Sequence, residues 1–269
     1  MHTMKRFLSM LLIGAILCFS VALAEGAGTE PEQYDIVIIG AGAAGMSAAI
    51  TAYDEGDHNI VVLETQAYAG GGSAKAYGGI YSSAVSYETD PSEDGNNETT
   101  VEQLYEAGME ASAGADKDVQ HLYAEHAHET LEWLNDLGYR WGTIHYDNLY
   151  RPSDGSGVGD QLTQALLEQI TTRNIEVRYN TTAVRILKDD DGIITGVLAE
   201  NQNLGEYEIR TGCVILATGG YANNQEMLAA YNSGFVSIQS PPGMTPSVSL
   251  RLPAPSEREP ERGPKSLPL

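Results

Sequence analysis

Three glycines near the start of the chain follow the pattern Gly40-x-Gly42-x-x-Gly45, and an acidic residue, Glu64, comes after the next apolar segment. In such a turn one glycine permits a tight change of direction, a second lets backbone N–H groups approach a pyrophosphate, and a third lets a helix pack closely on a strand. A carboxylate at Glu64 suits the hydroxyl groups of a ribose. The pattern therefore predicts a dinucleotide site, the alternative being an ordinary strand–helix–strand unit.

The segments around these residues have the composition needed to position them. Residues 35–39 are an apolar, β-branched run that is typical of a strand buried in a parallel sheet. Helical spacing of apolar residues continues to about residue 55, and a second apolar run at residues 59–63 leads into Glu64. The helix between the runs would present its positive N-terminal end to phosphate groups. This order favours a doubly wound α/β fold.

The start of the chain has the pattern of an export signal. Lys5 and Arg6 precede an apolar run that is too short for a membrane span, and small residues up to Ala24 form a cleavage site. We therefore expect residues 1–24 to be a signal peptide and residues 25–33 to be a polar leader. The mature chain would be exported, to the periplasm, the cell envelope or the extracellular space, and would have no membrane span.

Charge and cysteine content exclude several classes of function. The formal net charge is −22, which repels nucleic acid and anionic lipid, so we expect no nucleic-acid partner. Cys18 leaves with the signal, and Cys213 alone cannot form an internal disulfide or a cysteine-based metal site. His126 and His128 face different sides of a helix, so we expect no metal site here.

Further along the chain, two glycine-rich segments and several regular elements are predicted. We interpret residues 69–83 as a loop over the bound dinucleotide rather than a flexible linker, because they follow the ribose-binding acid. Residues 88–100 and 151–159 are predicted to be loops. Helices are predicted at residues 101–112, 116–137, 160–172 and 223–231, a strand at 175–179, a β-meander at 182–187, 193–199 and 206–210, and a buried strand at 213–217.

Three separated blocks of this sequence resemble the fumarate reductase/succinate dehydrogenase flavoprotein family, in particular its soluble exported members of the flavocytochrome c type. The blocks are DIVIIGAGAAG, then VVLE followed by GGGSAKAYGG, then VILATGGYANN. The similarity runs from about Tyr34 to about Phe235. It implies an α/β fold, a Rossmann-like FAD-binding domain with a parallel sheet and an inserted β-meander. That domain would cover residues 34–240 and be truncated before the family's capping domain.

The resemblance also implies how FAD is bound. Glu64 would bind the adenosine ribose, the turn at residues 40–45 the pyrophosphate, and Ser73 would lie along the flavin side. Gly72 stands where the family usually has asparagine and where membrane-bound members carry the histidine of a covalent flavin link, so the FAD would be non-covalent. The cofactor-binding residues predicted in this way are Gly40, Gly42, Ala44, Gly45, Glu64, Gly70, Gly71, Gly72, Ser73, Gly78, Gly79, Ala183, Val184, Ala217, Thr218 and Gly219.

In the family, a flavin passes a hydride to a polarised C=C bond, and histidines and arginines bind the substrate carboxylates and supply the proton. The resemblance thus implies an oxidoreductase that reduces an α,β-unsaturated carboxylate such as fumarate, or a related enone. The family's catalytic residues fall after the matched region, so they are unknown here, as is the electron donor. A catalytically silent flavin-binding fragment is the alternative. An NAD-linked Rossmann enzyme is disfavoured by residues 69–83.

The composition changes abruptly at Pro241. Residues 241–269 are rich in proline and have no strand or helix period, so we expect a disordered tail. We interpret the change as a shift of reading frame, because residues 243–245 read in another frame can encode a His-Asp pair that suits the family. A natural Pro-rich linker is the alternative.

Overall fold

The structure is a computed structural model that describes residues 31–83, 99–111, 115–145, 148–221 and 224–231. The chain divides into a unit of residues 1–32 and a unit of residues 33–269, and the architecture below is that of the second unit. The predicted signal peptide, most of the leader, most of the acidic loop and the Pro-rich tail lie outside the described residues.

Strands and helices alternate in the first part of the chain, and a run of strands follows the fourth helix. The strands are β1 Glu32–Gln33, β2 Ile36–Ile39, β3 Ile60–Leu63, β4 Ile80–Tyr81, β5 Trp141–His145, β6 Leu149–Pro152, β7 Glu176–Arg178, β8 Thr181–Lys188, β9 Ile194–Asn201, β10 Gly205–Arg210 and β11 Cys213–Leu216. The helices are α1 Ala43–Asp54, α2 Val101–Ala111, α3 Lys117–Asp136, α4 Val158–Thr172 and α5 Gln225–Tyr231. A single 3₁₀ turn, Ser73–Lys75, lies between β3 and β4.

A parallel sheet in the strand order β11-β2-β3-β7 forms the centre of the domain. Every residue of β2 and of β3 is buried. Because successive side chains of a strand point to opposite faces, full burial requires that both faces of the sheet are covered. This requirement explains why both strands are continuous apolar runs rather than alternating ones.

Helices cover one face of the parallel sheet and a β-meander covers the other. Ile38 packs in one core with Met46 of α1 and Leu166 of α4. Val37, its neighbour in β2, packs in a second core with Val197 of the antiparallel meander β8-β9-β10. The result is three layers, helices, parallel sheet and meander, which confirms the predicted fold class. Both faces of the sheet are occupied, so a ligand can approach only at its strand ends.

A smaller antiparallel sheet, in the order β4-β6-β5, is joined to α3 by aromatic residues. The rings of Tyr139 and Trp141 lie 4.2 Å apart between centroids, and those of Trp141 and Tyr150 lie 6.1 Å apart. Trp141 Nε1 donates a hydrogen bond to the carbonyl of Leu131 in α3, at 3.2 Å. The predicted loop at residues 151–159 is wrong in part, since β6 extends through Pro152.

Helix α3 begins and ends where its sequence predicts. Asp116 Oδ1 accepts hydrogen bonds from the backbone N–H groups of Asp118 and Val119, which caps the N-terminus. At the other end Gly138 has a φ of 100°, and the N–H of Tyr139 donates to the carbonyl of Leu134 at 2.9 Å. These are the contacts of a glycine-terminated helix, so the predicted end at Gly138 is confirmed.

The C-terminal ends of α1 and α4 are joined by an ion pair. Arg173 Nε and Nη2 donate to the two carboxylate oxygens of Asp54, at 2.8 Å and 2.9 Å. This hydrogen bonding lowers the pKa of Asp54 below its usual value, and Coulomb attraction to Arg173 acts in the same direction. The pair therefore holds the two helices together at the end away from the glycine turn.

Strand β11 is more exposed than its sequence predicts. Residues 213–217 were expected to form a buried strand, but Cys213 and Leu216 are exposed, Leu216 by 55%. Among the described strands β11 pairs only with β2 and is an edge strand of its sheet. An apolar sequence does not reveal whether a strand has a neighbour on both sides, so the expectation of burial was wrong.

Candidate functional site: a cleft at the carboxyl ends of the parallel strands

The carboxyl ends of three parallel strands meet at one edge of the sheet. Ile39 of β2 lies level with Leu63 of β3 and with Leu216 of β11. A cleft of about 490 Å³ opens beyond these residues. Its walls are the turn after β2, the residues after β3, the 3₁₀ turn, the start of β8 and residues 216–220. This is the edge at which open α/β sheets bind their ligands.

The three glycines of the first turn have different structural roles. A Cβ on Gly40, whose φ is 107°, would collide with the carbonyl oxygen of Ala217, and a Cβ on Gly45 would overlap the carbonyl oxygen of Gly40. A Cβ on Gly42 would lie in the cleft, 3.8 Å from both Gly70 O and Ser73 Oγ. Gly40 and Gly45 therefore permit close backbone packing, whereas Gly42 leaves space for a ligand.

The N-terminus of α1 points its donors into this space. Gly42 is the N-cap and provides no side-chain hydrogen bond. The N–H of Ala43 donates to Ser73 Oγ at 3.3 Å, while those of Ala44 and Gly45 have no protein acceptor among the described residues. Free N–H groups and the positive end of the helix dipole together favour a bound anion.

Glu64 is buried at the end of β3 and is fixed by the backbone. One carboxylate oxygen accepts from the N–H of Ala41 and the other from the N–H of Gln66, each at 2.8 Å. Each oxygen keeps a lone pair for a further donor such as a ribose hydroxyl. Its charge acts on Tyr179, whose pKa is raised by burial and then by the negative field of Glu64. Glu64 thus places a carboxylate at the wall of the cleft.

The second glycine-rich segment closes one side of the cleft. Gly70 has a φ of 110° and donates its N–H to the carbonyl of Ala41 at 2.7 Å. Gly71, Gly72 and Ser73 follow along the cleft wall, and a Cβ on Gly72 would meet nothing within 4 Å. The segment therefore continues the open surface that begins at Gly42.

The structure brings most of the predicted site residues to the cleft. Gly45 and Gly70 lie in the packing behind its wall, while Gly78, Gly79 and Val184 are not among the residues that line it. A Cβ on Gly79 would collide with the carbonyl of Tyr150, so this glycine serves the packing of β4 on β6. The predicted residues that do line the cleft are Gly40, Gly42, Ala44, Glu64, Gly71, Gly72, Ser73, Ala183, Ala217, Thr218 and Gly219.

Several cleft residues were missed because they lie beside the motifs rather than within them. Thr65 and Gln66 follow Glu64 directly in the sequence. Thr181 is the first residue of β8, and its N–H donates to the carbonyl of Glu64 at 2.9 Å. Lys75 is the one basic residue among the described residues that line the cleft. Proximity to Ser73 in sequence was the available signal for Lys75.

The described residues hold no group of three or more histidine, cysteine, aspartate or glutamate side chains arranged to bind a metal ion. None of the helices in the described part of the chain is both long enough and apolar enough to cross a membrane. His126, one of the histidines of α3, pairs instead with Glu129 at 2.9 Å.

The three-layer fold, the open glycine turn and the buried acid define a dinucleotide-binding domain, and the residues present fit FAD. A family model described as an FAD binding domain matches residues 35–241. The chain therefore belongs to this FAD-binding family, it resembles the fumarate reductase flavoproteins, and it aligns with a part of those proteins.

Several of the proteins that the chain resembles are named as reductases. It is 30% identical over 224 residues to fumarate reductase (cytochrome) of Shewanella frigidimarina, with 80% of this chain and 38% of that protein aligned. It is 32% identical to vinyl phenol reductase of Lactiplantibacillus plantarum, with 73% and 40% aligned. The open conformation of a flavocytochrome c3 fumarate reductase superimposes with a TM-score of 0.71 and 26% identity, covering 82% and 39%. The chain spans less than half the length of these relatives.

Proposed function

We propose that this chain is the FAD-binding part of an exported flavoprotein oxidoreductase that reduces an α,β-unsaturated carboxylate such as fumarate, or a related enone. One observation carries the proposal: the open turn at Gly42, the uncapped N-terminus of α1 and the fixed carboxylate of Glu64 meet at one sheet edge. The relatives named as fumarate and vinyl phenol reductases support reduction of a C=C bond. Bound FAD would supply the hydride for this step.

Different residues of the cleft would bind different parts of FAD. The N–H group of Ala44 would donate to the pyrophosphate, and the absence of a side chain at Gly42 would let it approach. Ser73 Oγ, which accepts from Ala43, has its own proton left to donate to a phosphate oxygen. Glu64 accepts from the ribose hydroxyls, and Lys75 offsets part of the negative charge of cofactor and carboxylate.

The bound FAD is proposed to be non-covalent. Gly72, which lines the cleft, carries no side chain that could form a bond to the flavin. Export is proposed from the signal pattern of residues 1–24. A covalent flavin would stay with the polypeptide after acid precipitation, whereas the proposal expects all of the yellow colour in the supernatant.

A binding titration tests the proposal. FAD is added to the purified chain while the quenching of flavin fluorescence is followed, and NADH is titrated in parallel. We expect saturable FAD binding and none of NADH; a chain that binds NADH and not FAD would overturn the assignment. Oxidation of reduced viologen by fumarate or 4-vinylphenol then tests the reaction. FAD binding without turnover of either substrate would identify the silent flavin-binding alternative.

A further inference from the structure

We propose that Gly159, in the first turn of α4, is a positioning residue that holds Ser73 at the N-terminus of α1 and so sets the affinity for FAD. The inference rests on the proposed function of the cleft. Gly159 belongs to the glycine-rich segment at residues 151–159, none of whose residues lines the cleft.

Gly159 is in close backbone contact with the 3₁₀ turn of the cleft. A Cβ at this position would overlap the carbonyl oxygen of Ser73 and lie 2.8 Å from the carbonyl carbon and oxygen of Ala74. The N–H of Gly159 donates to the carbonyl of Ala76 at 2.8 Å. Because the opposing atoms belong to the backbone, they cannot move aside as the end of a flexible side chain would. Glycine is therefore required for the turn to lie where it does.

The same turn is held from the opposite side by α1. Ser73 Oγ accepts the N–H of Ala43 at 3.3 Å, and the N–H of Gly70 donates to the carbonyl of Ala41 at 2.7 Å. The turn thus lies between the N-termini of two helices. A displacement by α4 would be transmitted to the hydroxyl of Ser73, since the carbonyl of Ser73 lies against Gly159 while its hydroxyl accepts from Ala43.

Thr163, one helical turn beyond Gly159, supports the start of the turn in the same way. A Cβ on Gly70 would lie 3.0 Å from Thr163 Cγ2 and 3.1 Å from Thr163 Oγ1. Thr163 Oγ1 is buried and has no hydrogen-bond partner among the described residues, so its role here is one of shape. Gly159 and Thr163 together form a platform under residues 70–76.

The experiment is a double-mutant cycle on FAD affinity with Gly159→Ala and Ser73→Ala. Gly159→Ala should weaken FAD binding by about tenfold or more, which corresponds to the loss of a hydrogen bond to a charged group. Adding Ser73→Ala to Gly159→Ala should weaken binding no further, because Ser73 is already out of place. Independent, multiplicative losses, or an unchanged affinity of Gly159→Ala, would overturn the inference.

Controls separate positioning from stability. Gly212→Ala also places a Cβ on an unstrained glycine, but nothing lies within 4 Å of it, so its FAD affinity should match that of the unmodified chain. Should Gly159→Ala fail to fold, Thr163→Ile, which replaces the unpartnered hydroxyl of the platform by a larger ethyl group, takes its place in the same cycle and is judged by the same outcomes. An unmodified chain that binds no FAD would refute the proposed function itself, whereas an unmodified chain that binds FAD with an additive cycle refutes only the role of Gly159.

Discussion

Helices α1 and α4 pack against each other beside the parallel sheet, and their two ends are held in different ways. At the N-terminal ends, Gly42 leaves the cleft open and Gly159 brings the backbone of α4 close to the turn that lines the cleft. At the C-terminal ends, Asp54 and Arg173 form a two-fold hydrogen-bonded ion pair. The N-terminal ends of the two helices therefore depend on the absence of side chains, whereas the C-terminal ends are joined by side chains.

The difference shows how binding and stability are separated along the same two helices. A serine or aspartate in place of Gly42 would cap α1, but its side chain would occupy the space left for a phosphate. The uncapped N-terminus is thus a requirement of the site, and the C-terminal ion pair stabilises the helices where no ligand binds. Substitutions at the two ends should accordingly change different measured quantities.

The largest effect is expected from Gly42→Val, whose Cβ would lie in the cleft, 3.8 Å from the nearest protein atoms. A valine side chain would stand between the backbone donors and the pyrophosphate, so FAD affinity should fall by at least about a thousandfold, or about 4 kcal/mol. Fluorescence titration measures the loss, and urea unfolding without FAD should show a change below about 0.5 kcal/mol. Equal FAD affinity in a folded Gly42→Val protein would contradict the role given to this glycine.

Gly45→Ala should instead destabilise the fold itself. The new Cβ would overlap the carbonyl oxygen of Gly40, and relief of this contact should cost about 3 kcal/mol in the free energy of unfolding. Urea unfolding followed by circular dichroism measures it. Gly108→Ala in α2 is the matched control, because its Cβ would meet only the flexible side chain of Gln120. Comparable stability of the two variants would show that the contact at Gly45 is unimportant.

Glu64→Ala should weaken FAD binding by less than Gly42→Val does. Removal of the carboxylate loses a charge-assisted hydrogen bond to the ribose, a loss of roughly 1.5–3 kcal/mol in binding free energy. It also leaves the N–H groups of Ala41 and Gln66 without their acceptor, so the unfolding free energy should fall by about 1 kcal/mol. Glu206→Ala, which removes an exposed carboxylate of the meander, is the control. An FAD affinity that Glu64→Ala leaves intact would remove Glu64 from the site.

Asp54→Asn should give the smallest effect, on stability alone. The pKa of Asp54 is lowered in the folded protein by its hydrogen bonds with Arg173, so the ion pair stabilises the fold above the unfolded pKa, near 3.8, and loses this contribution as the pH falls through the folded value. At pH 7 the variant should be less stable by roughly 0.2–1 kcal/mol, and by less in high salt, because Asp54 is half exposed.

Urea unfolding of Asp54→Asn between pH 2 and pH 7 measures this dependence. The difference from the unmodified chain should disappear at the acidic end, and FAD affinity at pH 7 should not change. A stability difference that is constant over the whole pH range would show that the ion pair contributes nothing, and a weaker FAD affinity would contradict the separation of the two helix ends.

The local sequence was sufficient to predict the part of the site that is built from consecutive residues. The run through β2, Gly40–Gly45, α1 and β3 to Glu64 was predicted because each strand is fully buried, Gly40 and Gly45 lie where the backbone packs closely, and Gly42 lies where a ligand needs space. The Asp54–Arg173 ion pair and the contacts of Gly159 could not be predicted, because they join residues that are distant in sequence.

Other errors have the same physical origin. The strand β6 was missed because its sequence, Leu-Tyr-Arg-Pro, is short and ends in a residue that cannot donate to a sheet. The exposure of β11 was missed because burial depends on neighbours that the strand's own residues do not specify. Ser73 was assigned to the cofactor by resemblance, but its contact with Ala43 became visible only in the structure.

The position of β2 in the sheet has a consequence for the order in which the chain folds. Its two neighbours are β3, which follows closely, and β11; at the start of β11, Thr211 donates its hydroxyl proton to the carbonyl of Asp35, 176 residues earlier. During synthesis from the N-terminus, β2 keeps an unpaired apolar edge until almost the whole described chain has been made. Such long-range closure is slow, and the open edge is the surface that a chaperone would need to protect.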